Sequence, residues 1–188
     1  NPYLVEGPDR YVERLSKPCC GQALMERGNH LTDGGHLILS NSEATELRTN
    51  FPEANLLVRR LTGAQEFIRG VDRYCLVIND EKLEEAKNIP EVRRRIEAVR
   101  ASRLESTKKN TRAVLSLTPH KFEHSTGVDA DRVIMIPTVS SERREWLPVS
   151  FERDAVVNAP NFALYDADIW SFAILSSRCH LHWIASVC

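Results

Sequence analysis

The stretch from Pro90 to Arg112 is the strongest constraint on this chain. Between Glu91 and Arg112 stand eight cations: Arg93, Arg94, Arg95, Arg100, Arg103, Lys108, Lys109 and Arg112. Only three acids, Glu91, Glu97 and Glu105, stand among them. The segment therefore has a net charge of +5 over 22 positions, in a chain of 188 residues whose formal charge is −1. Val92, Ile96, Val99 and roughly Leu104 recur through it at helical spacing. Pro90 and Glu91 suit the first turn of a helix, where the missing N–H costs nothing and a negative charge meets the dipole. The segment predicts one helix with a single apolar stripe and an otherwise cationic circumference. Three consecutive arginines, Arg93–Arg95, spread guanidinium groups over more than half of that circumference.

Composition narrows the class. With 42% hydrophobic and 27% charged residues, the chain is neither a disordered tail nor a fibre. Its length suits one large domain or two small ones, and such a chain needs no covalent staple. The near-neutral balance excludes a uniformly basic nucleic-acid protein but permits a local basic face. Five cysteines, at 19, 20, 75, 179 and 188, form no framework, so free thiols in a reducing compartment are expected. The first residues, Asn1-Pro2-Tyr3-Leu4-Val5, lack an initiator Met and carry no basic-then-apolar signal pattern, and the last residues are apolar. A piece of a longer chain is expected.

Residues 1–35 are punctuated by proline and glycine and read as an irregular leading segment. His36–Leu39 follows the Asp33-Gly34-Gly35 turn as a buried strand. Ser40 and Glu43 form a capping-box pattern that starts a helix through about Arg48. Pro52 opens a short helical stretch over Glu53–Val58, and Arg73–Ile78 reads as a core strand. Beyond Pro119 the pattern turns to β. Val133–Ile136 and Trp146–Val149 read as two strands joined by the polar connection 138–145. Ala155–Val157 and Phe162–Tyr165 are further strands. Asp166 or Asp168 then caps a closing helix that is apolar nearly all round and is expected to be buried. The fold class expected is α+β, with a mixed, mostly antiparallel sheet and packed helices.

His120-Lys121-Phe122-Glu123-His124 spells the H-x-x-E-H pattern of certain zinc hydrolases. That chemistry needs both histidines on one helical face. Pro119 before it and Ser125-Thr126-Gly127 after it favour a loop instead. Cys179-His180-x-His182 with Cys188 also suggests a metal, but neighbouring helical positions diverge. No metal site is assigned. No P-loop, G-x-G-x-x-G or G-x-S-x-G occurs, so no catalytic residue is assigned either. Asn1-Pro2-Tyr3 only faintly matches the N-P-P-Y loop of amino-methyltransferases. The basic helix is the better signal. Its plain reading is a solvated face, but arginine forks match phosphate oxygens and guanine edges.

Several segments, taken in order, form a more specific series. They are Thr32-Asp33-Gly34-Gly35-His36-Leu37-Ile38-Leu39-Ser40, Gln65-Glu66-Phe67-Ile68, Arg73-Tyr74-Cys75-Leu76 and Val92-x4-Glu97-Ala98-Val99-Arg100. Ile136-Pro137-x-Val139-Ser140-Ser141-Glu142-Arg143-Arg144-Glu145 and Ile174-Leu175-Ser176-Ser177-Arg178-x-His180 continue it. The series resembles the target-recognition region of MmeI-like restriction–modification enzymes, which are single-chain adenine methyltransferases often fused to a nuclease. It departs where the family's R-W-C-L-W strand is Arg73-Tyr74-Cys75-Leu76-Val77.

The resemblance implies a module that reads duplex DNA for a site-specific, cytoplasmic bacterial adenine methyltransferase. Residues 1–35 would link it to an upstream methyltransferase domain, and 36–188 would be the recognition domain. The methyl donor, S-adenosylmethionine, would be held elsewhere in the parent, with no cofactor here. Phosphate contacts would come from Arg93, Arg94, Arg95, Arg100, Arg103, Lys108, Lys109 and Arg112. Base-reading candidates are Ser140, Ser141, Glu142, Arg143 and Arg144, with His120 and Lys121 as a second set. The alternatives are a protein-interaction domain using the basic helix and, more weakly, a zinc hydrolase on His120, Glu123 and His124.

Overall fold

Two four-stranded sheets and seven α-helices make up the computed structural model, which describes residues 6, 11–13, 15–19 and 21–187. The Asn1-Pro2-Tyr3 motif, Cys20 and Cys188 lie outside those residues. The elements run β1 (Met25–Arg27), β2 (Ile38–Ser40), α1 (Asn41–Asn50), β3 (Val58–Thr62), α2 (Ala64–Arg69) and β4 (Arg73–Leu76). Next come α3 (Leu83–Asn88), α4 (Pro90–Leu104), α5 (Lys109–Ala113), β5 (Arg132–Ile136), β6 (Ser150–Arg153), β7 (Ala155–Val157) and β8 (Phe162–Tyr165). Helices α6 (Ile169–Leu175) and α7 (Arg178–Val187) close the chain. The first sheet has the order β1-β8-β5-β6, all antiparallel. The second has the order β2-β4-β3-β7, with β3 and β7 parallel. The α+β, mostly antiparallel class is the one expected.

Side-chain alternation along two strands orders the layers. Strand β7 sends Ala155 and Val157 into a small cluster with Val133, Met135 and Ala163 of the first sheet. Val156, between them, joins the largest cluster, with Leu39, Leu61, Leu76, Val92, Ile96 and Val99. Strand β5 does the converse: Ile134 and Ile136 point away from β7, toward Leu164, Phe172 and Leu175. A period of two places successive residues on opposite faces. Helix α4 thus packs on the second sheet and α6 on the first, with the sheets between them.

Local chemistry explains the better predictions. Ser40 caps α1: its hydroxyl accepts from the Glu43 N–H at 3.2 Å, and the Glu43 carboxylate accepts from the Ser40 N–H at 2.8 Å. Pro90 opens α4 at its first turn. The Asp33-Gly34-Gly35 turn passes close to α4, and a Cβ on Gly34 would stand 2.5 Å from the Ser102 hydroxyl. At φ +64° that position also favours glycine on backbone grounds.

Four expectations change. The end of the leading segment, residues 25–30, is built into the fold, because β1 pairs with β8 and the backbones of Asn29 and His30 bridge to Asn158 and His124. A recognition domain starting at residue 36 would cut through that pairing. The Pro52 stretch stops at Leu56 as a 3₁₀ turn, and Val58–Thr62 becomes a central strand. Trp146–Val149 is irregular and the second strand starts at Ser150, since Pro148 has no N–H to give a ladder. The closing helix breaks at Ser176-Ser177 into α6 and α7, and neither is buried as expected: Ile169, Trp170, Ile174 and Trp183 are all exposed.

Candidate nucleic-acid interface

Helix α4 divides its arginines by face. Val92, Ile96 and Val99 are buried as the stripe predicts, but the next buried position is Arg103, not Leu104. The spacing 92, 96, 99, 103 continues the helical period, and Leu104 falls one step outside it. Arg103 is 1% exposed. Its Nε donates to the Thr32 carbonyl at 2.8 Å, and Nη1 donates to the carbonyls of Leu115 (2.8 Å) and Thr118 (2.9 Å). Nη2 donates to the carbonyls of Leu31 (3.1 Å) and Lys121 (2.7 Å). These five bonds use the full donor set of a guanidinium. Burial lowers the Arg103 pKa, while the fields of Asp33 and Glu123 partly restore it.

Arg95 is also turned inward. Its Nε donates to Glu91 at 2.8 Å, and Nη1 to the carbonyls of His36 and Ile38 at 3.0 and 3.2 Å. Nη2 donates to Glu43 at 2.6 Å. Hydrogen bonds from the Ser40 backbone and side chain, and then from Arg95, hold the Glu43 carboxyl at about 2. Arg95 and Arg103 are thus removed from the phosphate-contact set, because both are buried: Arg103 has no donor left for an outside anion, and Arg95 spends four of its five inside the fold. Arg93, Arg94, Arg100, Lys108, Lys109 and Arg112 remain exposed. Of these, Arg94 forms a fork with Glu91 at 2.9 and 2.7 Å, and Arg112 also donates to the Ser106 carbonyl at 3.2 Å. Arg93 and Arg100 lie two turns apart on one face of the helix. The buried face is pinned by Arg95 and Arg103, and the cationic face is left free.

The second candidate element is the 137–149 connection between β5 and β6. It is longer and less regular than a turn joining two strands. Pro137 anchors it in the interior, and Ser141 through Trp146 are exposed. The Arg144 N–H donates to the Ser141 carbonyl at 3.1 Å, and the Arg143 N–H to the Ser141 hydroxyl at 3.3 Å. Among the described residues neither Arg143 nor Arg144 has an acidic partner for its guanidinium. Glu145 is bonded to Arg178 of α7 at 2.5 Å, which fixes the far end of the connection. Between the connection and α7 runs a groove of about 900 Å³, lined by Ser140, Glu142, Arg144, Arg178, His182 and Trp183 among others. The Ser140 hydroxyl is buried there with no hydrogen-bond partner among the described residues. The reading of α7 as plain core did not anticipate that Arg178 and His182 line this groove. Ser177-Arg178-x-His180 of the ordered series points to Arg178 but stops short of His182.

The His120–Lys121 set is placed differently. His120 is buried, and its Nε2 lies 2.9 Å from Asp80. Lys121 is paired with the same carboxylate, and the two bonds, Lys121's first, lower the Asp80 pKa. Asp80, Glu81 and Asp129 line the adjoining hollow, and three acids repel phosphate. His120 is therefore withdrawn as a base reader, and Lys121 has its charge committed. The zinc arrangement also fails on geometry. Residues 119–124 form no helix. Glu123 is bonded to Thr32 and to His30, and His124 takes part in the fold through its backbone. Among the described residues no group of three or more histidine, cysteine or acidic side chains is placed to hold a metal ion.

A family model described as the MmeI target recognition domain matches residues 6–188. The chain belongs to that family. As an MmeI target recognition domain, it is 35% identical over all 188 residues to DNA methyltransferase A of Bacillus subtilis (strain 168), of which it spans 21%. It also aligns with a solved structure of the type IIL restriction-modification enzyme MmeI in complex with DNA. That match has a TM-score of 0.80 and 31% identity, over 99% of this chain and 25% of the other. An MmeI target recognition domain of this size is thus about a fifth to a quarter of such proteins. The described residues contain no helix long and apolar enough to cross a membrane.

Proposed function

We propose that this chain reads the DNA sequence for a longer, site-specific adenine methyltransferase of a restriction–modification system. One observation supports this most directly. The structure separates its arginines into an internal pair that orders the scaffold and an exposed group with donors to spare. Phosphate contacts supply affinity and register, and groove-edge contacts supply sequence. Arg93, Arg94, Arg100, Lys108, Lys109 and Arg112 suit the first role. Ser140, Ser141, Glu142, Arg143 and Arg144 suit the second: arginine pairs with guanine O6 and N7, and glutamate accepts from the cytosine amine. S-adenosylmethionine and the flipped adenine belong, in this reading, to an upstream methyltransferase domain of the same polypeptide, and the setting is the bacterial cytoplasm.

The test is a salt titration of duplex binding. Each phosphate contact adds about 0.9 to the slope of log affinity against log salt, so four to six contacts give a slope of roughly −4 to −5. A slope near zero would favour a basic helix that meets an acidic protein instead.

A further inference from the structure

We infer that the α6–α7 face docks this domain onto the rest of its own polypeptide, a conclusion that rests on the domain being part of a longer methyltransferase. All three tryptophans of the chain are largely exposed: Trp146 at 57%, Trp170 at 44% and Trp183 at 51%. Helix α6 reads Ile-Trp-Ser-Phe-Ala-Ile-Leu, yet contains no buried residue. Its Phe172 and Leu175 pack on the first sheet, which leaves Ile169, Trp170 and Ile174 facing outward. Helix α7 packs chiefly on α6 and sends Trp183 outward. Leu15, Leu24 and Met25 approach from the leading segment and share one hollow of about 640 Å³ with Trp170, Ile174 and Trp183. Among the described residues Lys17 is its one charged lining residue. A continuous apolar patch of this kind marks an interaction surface.

The chemistry selects the occupant. Among the described residues the hollow offers a phosphate backbone a single cation, Lys17, so it is distinct from the basic helix, which lies on the other sheet; Trp183 at its edge also borders the groove beside the 137–149 connection. Relatives have this domain as about a fifth of their length, so most of such a polypeptide lies outside it. A covalently linked neighbour is present at an effective concentration near millimolar, and a patch of modest size then suffices for stable docking. A second copy of the chain has no such advantage.

Hydrogen exchange in the absence of DNA tests the assignment. The amides of α6 and α7 should exchange at least about tenfold more slowly in the full-length methyltransferase than in the 188-residue chain. Ile174→Lys or Trp183→Lys should return that exchange to the fast rate in the longer protein. The same changes should leave the unfolding of the short chain unaltered, and Ile174→Ser and Trp183→Ser serve if the lysine variants do not fold. Equal exchange in the two proteins would overturn the inference. So would a short chain that weighs as a dimer by light scattering and reverts to a monomer with Trp183→Lys. Because no DNA is present, a failure here is separate from a failure of DNA binding.

Discussion

Helices α4 and α6 pack on different sheets, and each reverses what its residues suggest. Helix α4 is the most cationic element of the chain, yet it buries two arginines, at 8% and 1% exposure. Helix α6 is almost wholly apolar, yet it buries nothing completely. The difference lies in the partners on offer. The irregular backbone around α4, from Leu31 to Ile38 and from Leu115 to Lys121, leaves carbonyls without ladder partners, and a buried carbonyl needs a donor. An arginine can satisfy several at once. Helix α6 meets the narrow outer face of one sheet, which covers two of its side chains, and beyond that the short helix α7. Residue type states what a side chain can do, and the neighbouring backbone decides which of those options is used.

Removing the charge at the centre of α4 is the strongest way to break this contrast. Arg103→Met should destabilise the chain by about 3–5 kcal/mol in urea unfolding, because five carbonyls lose their donors in a site closed to water. Arg103→Lys should recover only part of that loss, since an ammonium has three donors to offer. If Arg103→Met is neutral, Arg103 is not the organiser of the 31–32 and 115–121 segments, and the contrast with α6 loses half its basis.

How much of this was legible in the sequence follows from the same distinction. Features governed by local chemistry were readable: the Ser40–Glu43 cap, the Pro90 start of α4, and strands β4, β5, β7 and β8. The charge run was readable as a helix, but not its internal division. The stripe 92, 96, 99 was continued to Leu104 because leucine is apolar, while the helical period itself points to Arg103. Strand β3 was hidden because Arg59 and Arg60 sit in it; Arg60 is paired with Asp72 and Glu152 at 2.9 and 3.1 Å, the second of them 92 residues away in the chain. His120 looked available because nothing near it in sequence announces Asp80, 40 residues earlier. The 138–145 connection was readable as a polar link between two strands, but its choice as a base-reading element leaned on the ordered family series.

The exposed side of the comparison is sharpened by DNA-binding variants. Arg144→Ala should relax preference at one base pair by about 1–3 kcal/mol if its guanidinium reads a base, as measured by competition among duplexes altered one position at a time. An equal loss for every duplex would make it a phosphate contact. Arg93→Gln and Arg100→Gln should each flatten the salt slope by about 0.9 and weaken all sequences alike. Their unfolding free energies should stay within about 0.5 kcal/mol of the parent, in contrast to the buried Arg103 of the same helix.

The smallest effect separates the two buried arginines from each other. Arg103 is held by carbonyls, which do not titrate, whereas Arg95 is held in part by the Glu43 and Glu91 carboxylates. The Glu43 carboxyl is lowered from 4.5 to about 2 in the folded chain. A depressed carboxyl stabilises the fold above its unfolded pKa and loses that contribution as pH falls from about 4.5 through about 2. Glu43→Gln keeps a side chain that can still serve the helix cap but removes the charge facing Arg95. The variant should therefore be less stable than the parent at neutral pH, with the gap closing as pH falls toward 2. The gap should be under about 1 kcal/mol, since the Glu43 side chain is half exposed and solvent screens the pair. Arg103→Lys should show no comparable closing of its own gap over that range. If both gaps close together, the acids rather than the carbonyls anchor this helix, and the division proposed for its arginines is wrong.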